Sequence, residues 1–194
     1  MTLREGGVAL RPITRRDRDA WTRVRAVNRD WLAPWEATPP RDVGPPVSFA
    51  AMVRTLRGQA RRGQLLPFVI TSDGALVGQL TVGGITYGSL CSAHVGYWVD
   101  SRVAGRGIMP TAVALAVDHC FLVLRLHRVE VNIRPENTAS LRVVEKLGFR
   151  DEGLRRGYLH ISGQWRDHRT FALTADEVPE GLLQRWRARH QAPN

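Results

Sequence analysis

The spacing of apolar positions changes several times along the chain, and each change marks an element. Residues 8–13 form a short apolar run that stops before Thr14, a residue suited to cap a helix N-terminus. Over residues 17–31 the positions Trp21, Val24 and Val27 or Asn28 recur at helical spacing, which predicts a first helix. Pro34, Pro39, Pro40, Pro45 and Pro46 then interrupt the pattern and predict a long loop. Ser48 caps a second helix with Phe49, Met52, Val53, Leu56 and Ala60 on one face, and Arg54, Arg57, Arg61 and Arg62 on its solvated side. Residues 65–71 and 75–83 read as strands joined by a turn at Ser72, Asp73 and Gly74. A strand at 92–99 alternates around His94, Gly96 and Trp98. A polar, glycine-bearing stretch at 101–107 follows, and an apolar helix then runs through Leu124, with Pro110 tolerable only in its first turn. Residues 128–133 are a β-branched strand, and 137–147 a helix that Gly148 ends. Two last strands, 149–160 and 165–173, flank a turn at Ser162 and Gly163, and a basic helix at 180–190 follows Pro179. This order predicts one α/β domain over 1–194: a mixed sheet flanked by helices, with a core of about 8–174 and a C-terminal helix of about 179–190.

Composition narrows the classes. With 194 residues and 43% hydrophobic content, the chain can bury one sizeable core. No run of about 18 apolar residues reads as a membrane span. The first ten residues lack a basic head followed by an apolar run, so no secretory leader is expected. Two cysteines, Cys91 and Cys120, make no disulfide framework, and no Cys/His spacing suggests a metal site. The expectation is a cytoplasmic protein without metal or membrane partner. The 28 Lys+Arg against 18 Asp+Glu give a net charge of +10, and Lys146 is the one lysine. This arginine excess has two readings: codon bias of a GC-rich genome, or attraction to an anionic partner such as a polyphosphate cofactor, RNA or the ribosome. No RNA-binding signature with interleaved aromatics favours the second.

Two motifs carry candidate chemistry. Arg102, Gly105, Arg106 and Gly107 lie between a strand and a helix. Glycines there let backbone N–H groups converge, and the helix N-terminus adds positive potential; together they bind phosphate. Arg102 and Arg106 are candidates for charge-assisted contacts. The same residues also suit a tight turn without a ligand. No Walker A or GxGxxG run is present, which weakens nucleotide hydrolase and dinucleotide-dehydrogenase readings. The second motif is Asn137 and Ser140, after a strand and opening a helix. Asn137 is a natural N-cap, and an exposed amide and hydroxyl there suit a polar ligand arm and proton donation.

Together, with Leu147, Gly148 and Phe149 closing the second helix, the two motifs resemble the GNAT acetyltransferase superfamily, and the element order matches over essentially the whole chain. The resemblance implies a GNAT fold with a splayed central sheet and acetyl-CoA as acetyl donor. It implies that the segment from Arg102 to Gly107, with Ile108 and Met109, binds the pyrophosphate. It further implies that Tyr97, Trp98 and Val99 pair by backbone with pantetheine, that Asn137 contacts the cofactor arm, and that Ser140 protonates the departing thiolate. A narrower similarity, to the RimJ branch, lies in residues 17–21, 28–36 and 158–168. That branch acetylates the N-terminal alanine of a small-subunit ribosomal protein, which implies a ribosomal protein N-terminus as partner. Substrate contacts would then come from Trp31, Trp35, Glu36, Tyr158, Trp165 and His168.

An α-amino group titrates at about 7.7–8.0, so a useful fraction is neutral at pH 7 without a strong base. Backbone N–H groups near Val99 are candidates to polarise the carbonyl. Some ribosomal-protein acetyltransferases carry a glutamate just before the equivalent of Tyr158, where this chain has Gly157. Glu36 is the replacement candidate as catalytic base, beside proton loss through ordered water. His127 merely begins a strand, and neither cysteine has the context of a nucleophile. A small-amine acceptor such as an aminoglycoside or polyamine is the rival within the class. A non-catalytic ribosome-assembly or RNA-binding factor is the rival outside it. Monomer and homodimer both remain open.

Overall fold

Two tight turns set the hairpins of the sheet. Asp73 and Gly74 have φ of +49° and +83°, and Ser162 and Gly163 repeat these values. Two consecutive left-handed residues make the two-residue turn whose twist matches the strands it joins. In the computed structural model, residues 1–41, 44 and 47–191 are described, and Pro45 and Pro46 of the expected proline loop lie outside them. The strands are β1 Leu3–Glu5, β2 Val8–Pro12, β3 Leu66–Ser72, β4 Ala75–Thr86, β5 Ser92–Val99, β6 Arg128–Ile133, β7 Arg150–Ile161 and β8 Gln164–Thr174. They form one sheet in the order β1-β2-β3-β4-β5-β6-β8-β7. Every neighbouring pair is antiparallel except β5 and β6.

The helices are α1 Arg18–Val27, α2 Arg29–Leu32, α3 Phe49–Arg61, α4 Ile108–Asp118, α5 Thr138–Leu147 and α6 Leu182–Gln191. Their ends follow the caps read from sequence. Ser48 Oγ accepts from Ala51 N at 3.2 Å, and Asn137 Oδ1 from Ser140 N at 3.1 Å. Gly148 ends α5 at φ +74°, a conformation that favours glycine. Helix α4 is buried from Ile108 to Val117, as an all-apolar helix must be. It lies between the sheet and α5 and α6. Tyr97, Val95 and Ala93 of β5 face the α4 side and join the main core, while Trp98 turns to α1.

The structure departs from the sequence reading in four places. β1 is an added edge strand whose three residues were too few to show a pattern. β4 runs three residues longer than expected, through a bulge between Gly83 and Thr86. The helix expected to reach Leu124 leaves α geometry after Asp118, and His119–Val123 form a π turn. The first expected helix breaks at Asn28, because the Asn28 side chain is used elsewhere (below). Among the described residues, no helix is long and apolar enough to cross a membrane.

Leu147 is fully buried at the end of α5, so Leu147→Ala should cost about 2–5 kcal/mol in urea unfolding. Leu122→Ala, at an exposed position, should stay within about 0.5 kcal/mol. Equal losses would show that α5 is not anchored by this side chain.

Candidate active site

The parallel pair β5–β6 supplies the opening. Only Ser92, Ala93 and His94 pair with β6, opposite Arg128, Val129 and Glu130. From Val95 onward the two strands separate. On its other edge β5 stays paired with β4 up to Val99 opposite Gly78, and Asp100 N continues this ladder to Val77 O at 2.8 Å. Antiparallel residues alternate between facing the partner and facing away. Asp100, Trp98 and Gly96 therefore spend their backbone groups on β4, and Tyr97 and Val99 turn theirs into the gap. Trp31 Nε1 donates to Val99 O at 3.2 Å, which fits this orientation. The N–H groups of Tyr97 and Val99 and the carbonyl of Tyr97 are left for a ligand.

A cavity of about 900 Å³ fills the gap and extends to both sides of it. On one side lies the turn into α4. Gly105 and Gly107 have φ of +83° and +79°. A Cβ at Gly107 would stand 3.7 Å from Trp186 Cζ2 of α6, an ordinary contact, so the left-handed backbone rather than crowding calls for glycine there. Thr111 N already reaches Gly107 O at 3.1 Å, and Pro110 has no N–H. The N–H groups at 107, 108 and 109 have no partner within the helix and stand at its positive end. These are anion donors, and Gly107, Ile108 and Met109 line the cavity.

The loop is held by residues that sequence reading missed or assigned otherwise. Asn28 is 1% exposed, and its amide is fully used. Its Nδ2 donates to Val24 O at 2.9 Å and Asp100 Oδ1 at 3.1 Å, while its Oδ1 accepts from Ser101 N at 2.9 Å and Ser101 Oγ at 2.7 Å. Arg102 does not reach the cavity wall: its Nε donates to both Asp100 oxygens at 3.0 Å, and its backbone N to Asp100 Oδ1. The Arg102 side chain, a candidate for phosphate contact, clamps the loop here through the carboxylate two residues earlier. This guanidinium holds the Asp100 carboxyl down to about 2. Arg106 is exposed and also stands off the wall. A polar residue in the apolar stripe of a helix was the available signal for Asn28.

On the α5 side, Asn137 and Ser140 line the cavity. Asn137 Oδ1 is the N-cap, which leaves its amide nitrogen for a ligand. Tyr97 Oη donates to Ser140 O at 3.4 Å, and burial pushes the phenol up, so it stays protonated. Trp98, expected to pair by backbone with the pantetheine, bonds to β4 instead, and alternation sends its ring to the opposite wall beside α1. There Arg25 lies 5.3 and 5.4 Å from the Trp21 and Trp98 ring centres and forms an ion pair with Glu36. Trp21 Nε1 donates to Gln79 Oε1 at 2.8 Å. Trp31, Trp35, Glu36, Gln79 and Thr81 complete this wall, and Arg134 stacks on Trp35 at 5.4 Å.

The predicted hairpin residues are not on the wall. Tyr158 and Trp165 are 37% and 59% exposed, but His168 is 4% exposed and packs edge-on to Tyr158 at 5.4 Å. Burial lowers the His168 pKa and favours its neutral form. The ring packs within the hairpin, and His168 stands off the cavity wall. The hairpin does touch the segment that borders the cavity: Ala37 bridges Ile161, Thr38 N donates to His160 O at 2.9 Å, and Ser162 N to Thr38 Oγ1 at 3.0 Å.

A strand edge opened beside a glycine turn at a helix N-terminus suits an extended, phosphate-bearing ligand. The chain belongs to the GNAT acetyltransferase family, whose acetyltransferase domain matches residues 8–150. It is 30% identical over 169 residues to the ribosomal protein uS5-alanine N-acetyltransferase of Escherichia coli, covering 85% of this chain and 87% of that one. The structure of Mycobacterium smegmatis RimJ in complex with CoA-disulfide superposes with a TM-score of 0.92 at 42% identity, over 98% of this chain and 95% of that one. A Bacillus subtilis protein named "Probable N-acetyltransferase YjcK" is 43% identical over 102 residues, about half of this chain and 56% of its own length. Acetyl-CoA-dependent N-acetyl transfer is the activity of this family, as the motifs implied, and the likeness to the RimJ structure extends over nearly the whole chain.

Asp100 yields a pH prediction. Its carboxyl lies below its ordinary 3.8 in the folded protein, so its stabilisation is complete above that value and is lost as pH falls toward about 2. Asp100→Asn should lower Tm at pH 5, with the gap to wild type closing near pH 2 in scanning fluorimetry. A gap constant with pH would place the effect outside this ion pair.

Proposed function

We propose that the protein acetylates the N-terminal α-amino group of a ribosomal protein, with alanine as the first residue. The observation that carries this reading is the continuous acceptor wall. Trp31, Trp35 and Glu36 border the cavity, and the same segment is pinned to the exposed Tyr158 and Trp165 hairpin. A peptide can lay its first residue against the wall and its next ones across the hairpin, where aromatic surface rewards contact. The name of the Escherichia coli relative supports the same acceptor class.

Acetyl-CoA supplies an activated acyl group whose thiolate leaves. The chain's residues do the rest. Tyr97 and Val99 offer backbone groups that align the arm, and the Val99 N–H is aimed at the gap where the carbonyl oxygen needs a donor. Ser140 makes no side-chain hydrogen bond among the described residues, so its hydroxyl is available to protonate the thiolate. Among the described residues on the wall, Glu36 is the one carboxylate. Held by Arg25, it attracts the acceptor ammonium and takes its proton directly or through water. No acyl-enzyme is required, because amine and thioester meet in one cavity.

Thiol release with acetyl-CoA should depend on a ribosomal peptide with a free N-terminal alanine, with mass added at the α-amino group. An N-terminally blocked lysine peptide and an aminoglycoside panel should be inactive. Release with the small amines alone would overturn the ribosomal acceptor and keep the family. Ser140→Ala should lower kcat by about 10²-fold with acetyl-CoA affinity little changed. An unchanged kcat would remove Ser140 from the reaction.

A further inference from the structure

Three cationic side chains border the cavity: Arg25, Arg142 and Lys146. Arg25 is committed to Glu36. Arg142 and Lys146 are exposed, and neither side chain has an ion pair or hydrogen bond among the described residues. They stand four residues apart on α5, in the same stripe as Ala139 and Val143, which also line the cavity. At 1.5 Å per residue their Cα atoms are about 6 Å apart along the helix. The stripe begins at Asn137 and Ser140, beside Tyr97, and runs toward Gly148. There α6 braces it: Arg189 Nη1 donates to Lys146 O at 2.9 Å, and the Arg189 guanidinium lies 3.2 Å from the Cβ position of Gly148.

The phosphates of the cofactor sort themselves between two kinds of donor. The N–H groups of residues 107–109 suit the pyrophosphate, which is tethered to the arm lying in the β5–β6 gap. Coenzyme A also carries a phosphomonoester on its ribose, a dianion at neutral pH, and the glycine turn has no side-chain cation on the wall to meet it. We propose that Arg142 and Lys146 form a second phosphate site, which takes the 3′-phosphomonoester of coenzyme A and selects it over the dephosphorylated form. The fork of Arg142 grips two oxygens, and Lys146 adds a mobile point charge. The proposal rests on the acetyl-CoA reading and assigns its phosphate selectivity. A competing role exists for Lys146, since a cation in the last turn of a helix stabilises that helix.

The test is calorimetric titration of the full chain with coenzyme A and dephospho-coenzyme A. Wild type should prefer coenzyme A by about tenfold or more. Arg142→Ala/Lys146→Ala should bring coenzyme A affinity down to that of the dephospho form, whose own affinity should hold, and Lys146→Arg should keep most of the preference. Because Lys146 is the one lysine, an amine-acylating reagent mapped by mass spectrometry reads the site directly. Coenzyme A should protect Lys146, and dephospho-coenzyme A should not. Equal wild-type affinities, or a preference that survives in the double variant, would overturn the second site alone. A lowered Tm with the preference intact would assign the pair to helix stability. Failure of wild type to bind either thiol would overturn the cofactor reading itself.

Discussion

The early end of one strand pairing governs the rest of the molecule. β5 and β6 share three residue pairs and then part, so one edge of β5 keeps unpaired backbone groups inside the protein. Unpaired polar backbone is costly to bury, and the fold offsets that cost by keeping the gap open to a cavity. On the other edge, β4 pairs with β5 through Val99, which holds the free groups of Tyr97 and Val99 in register. The glycine turn begins directly beyond that strand, so the phosphate donors and the strand edge sit at a fixed offset.

Asn28, Asp100, Ser101 and Arg102 make this offset rigid. One buried amide joins the C-terminal end of α1 to the start of the cofactor loop, and Trp31, three residues on, bonds to Val99 O. The Trp31 segment and the glycine-bearing loop are therefore one hydrogen-bonded unit. A helix that would otherwise continue is broken at Asn28 to make it. The break turns Trp31 and Leu32 toward the cavity.

Much of this was legible in the sequence because it is local. Thr14, Ser48, Asn137 and Gly148 mark helix ends by their own chemistry, and the Asp73-Gly74 and Ser162-Gly163 pairs mark turns. Glycines at 105 and 107 ahead of an apolar helix mark the left-handed turn into α4. What was not legible depends on partners distant in the chain. The capture of Arg102 by Asp100 is near in sequence, yet only the backbone path shows that it pulls the guanidinium off the cavity. The alternation that sends Trp98 to Arg25, and Tyr97 to Ser140, needs the register of β4. His168 reads as a substrate contact in a polar, aromatic hairpin, but its side chain is buried. Arg142 and Lys146 look like ordinary solvated positions of α5 until the cavity is seen beside them.

Hydrogen exchange at single amides on β5 addresses the central claim most directly. In the free protein the Tyr97 and Val99 amides should exchange fast, while the Trp98 amide, bonded to β4, should be slow. Bound coenzyme A should slow Tyr97 and Val99 and leave Trp98 unchanged. If Tyr97 and Val99 are already protected without ligand, or stay fast with coenzyme A bound, the opened strand edge is not where the cofactor lies.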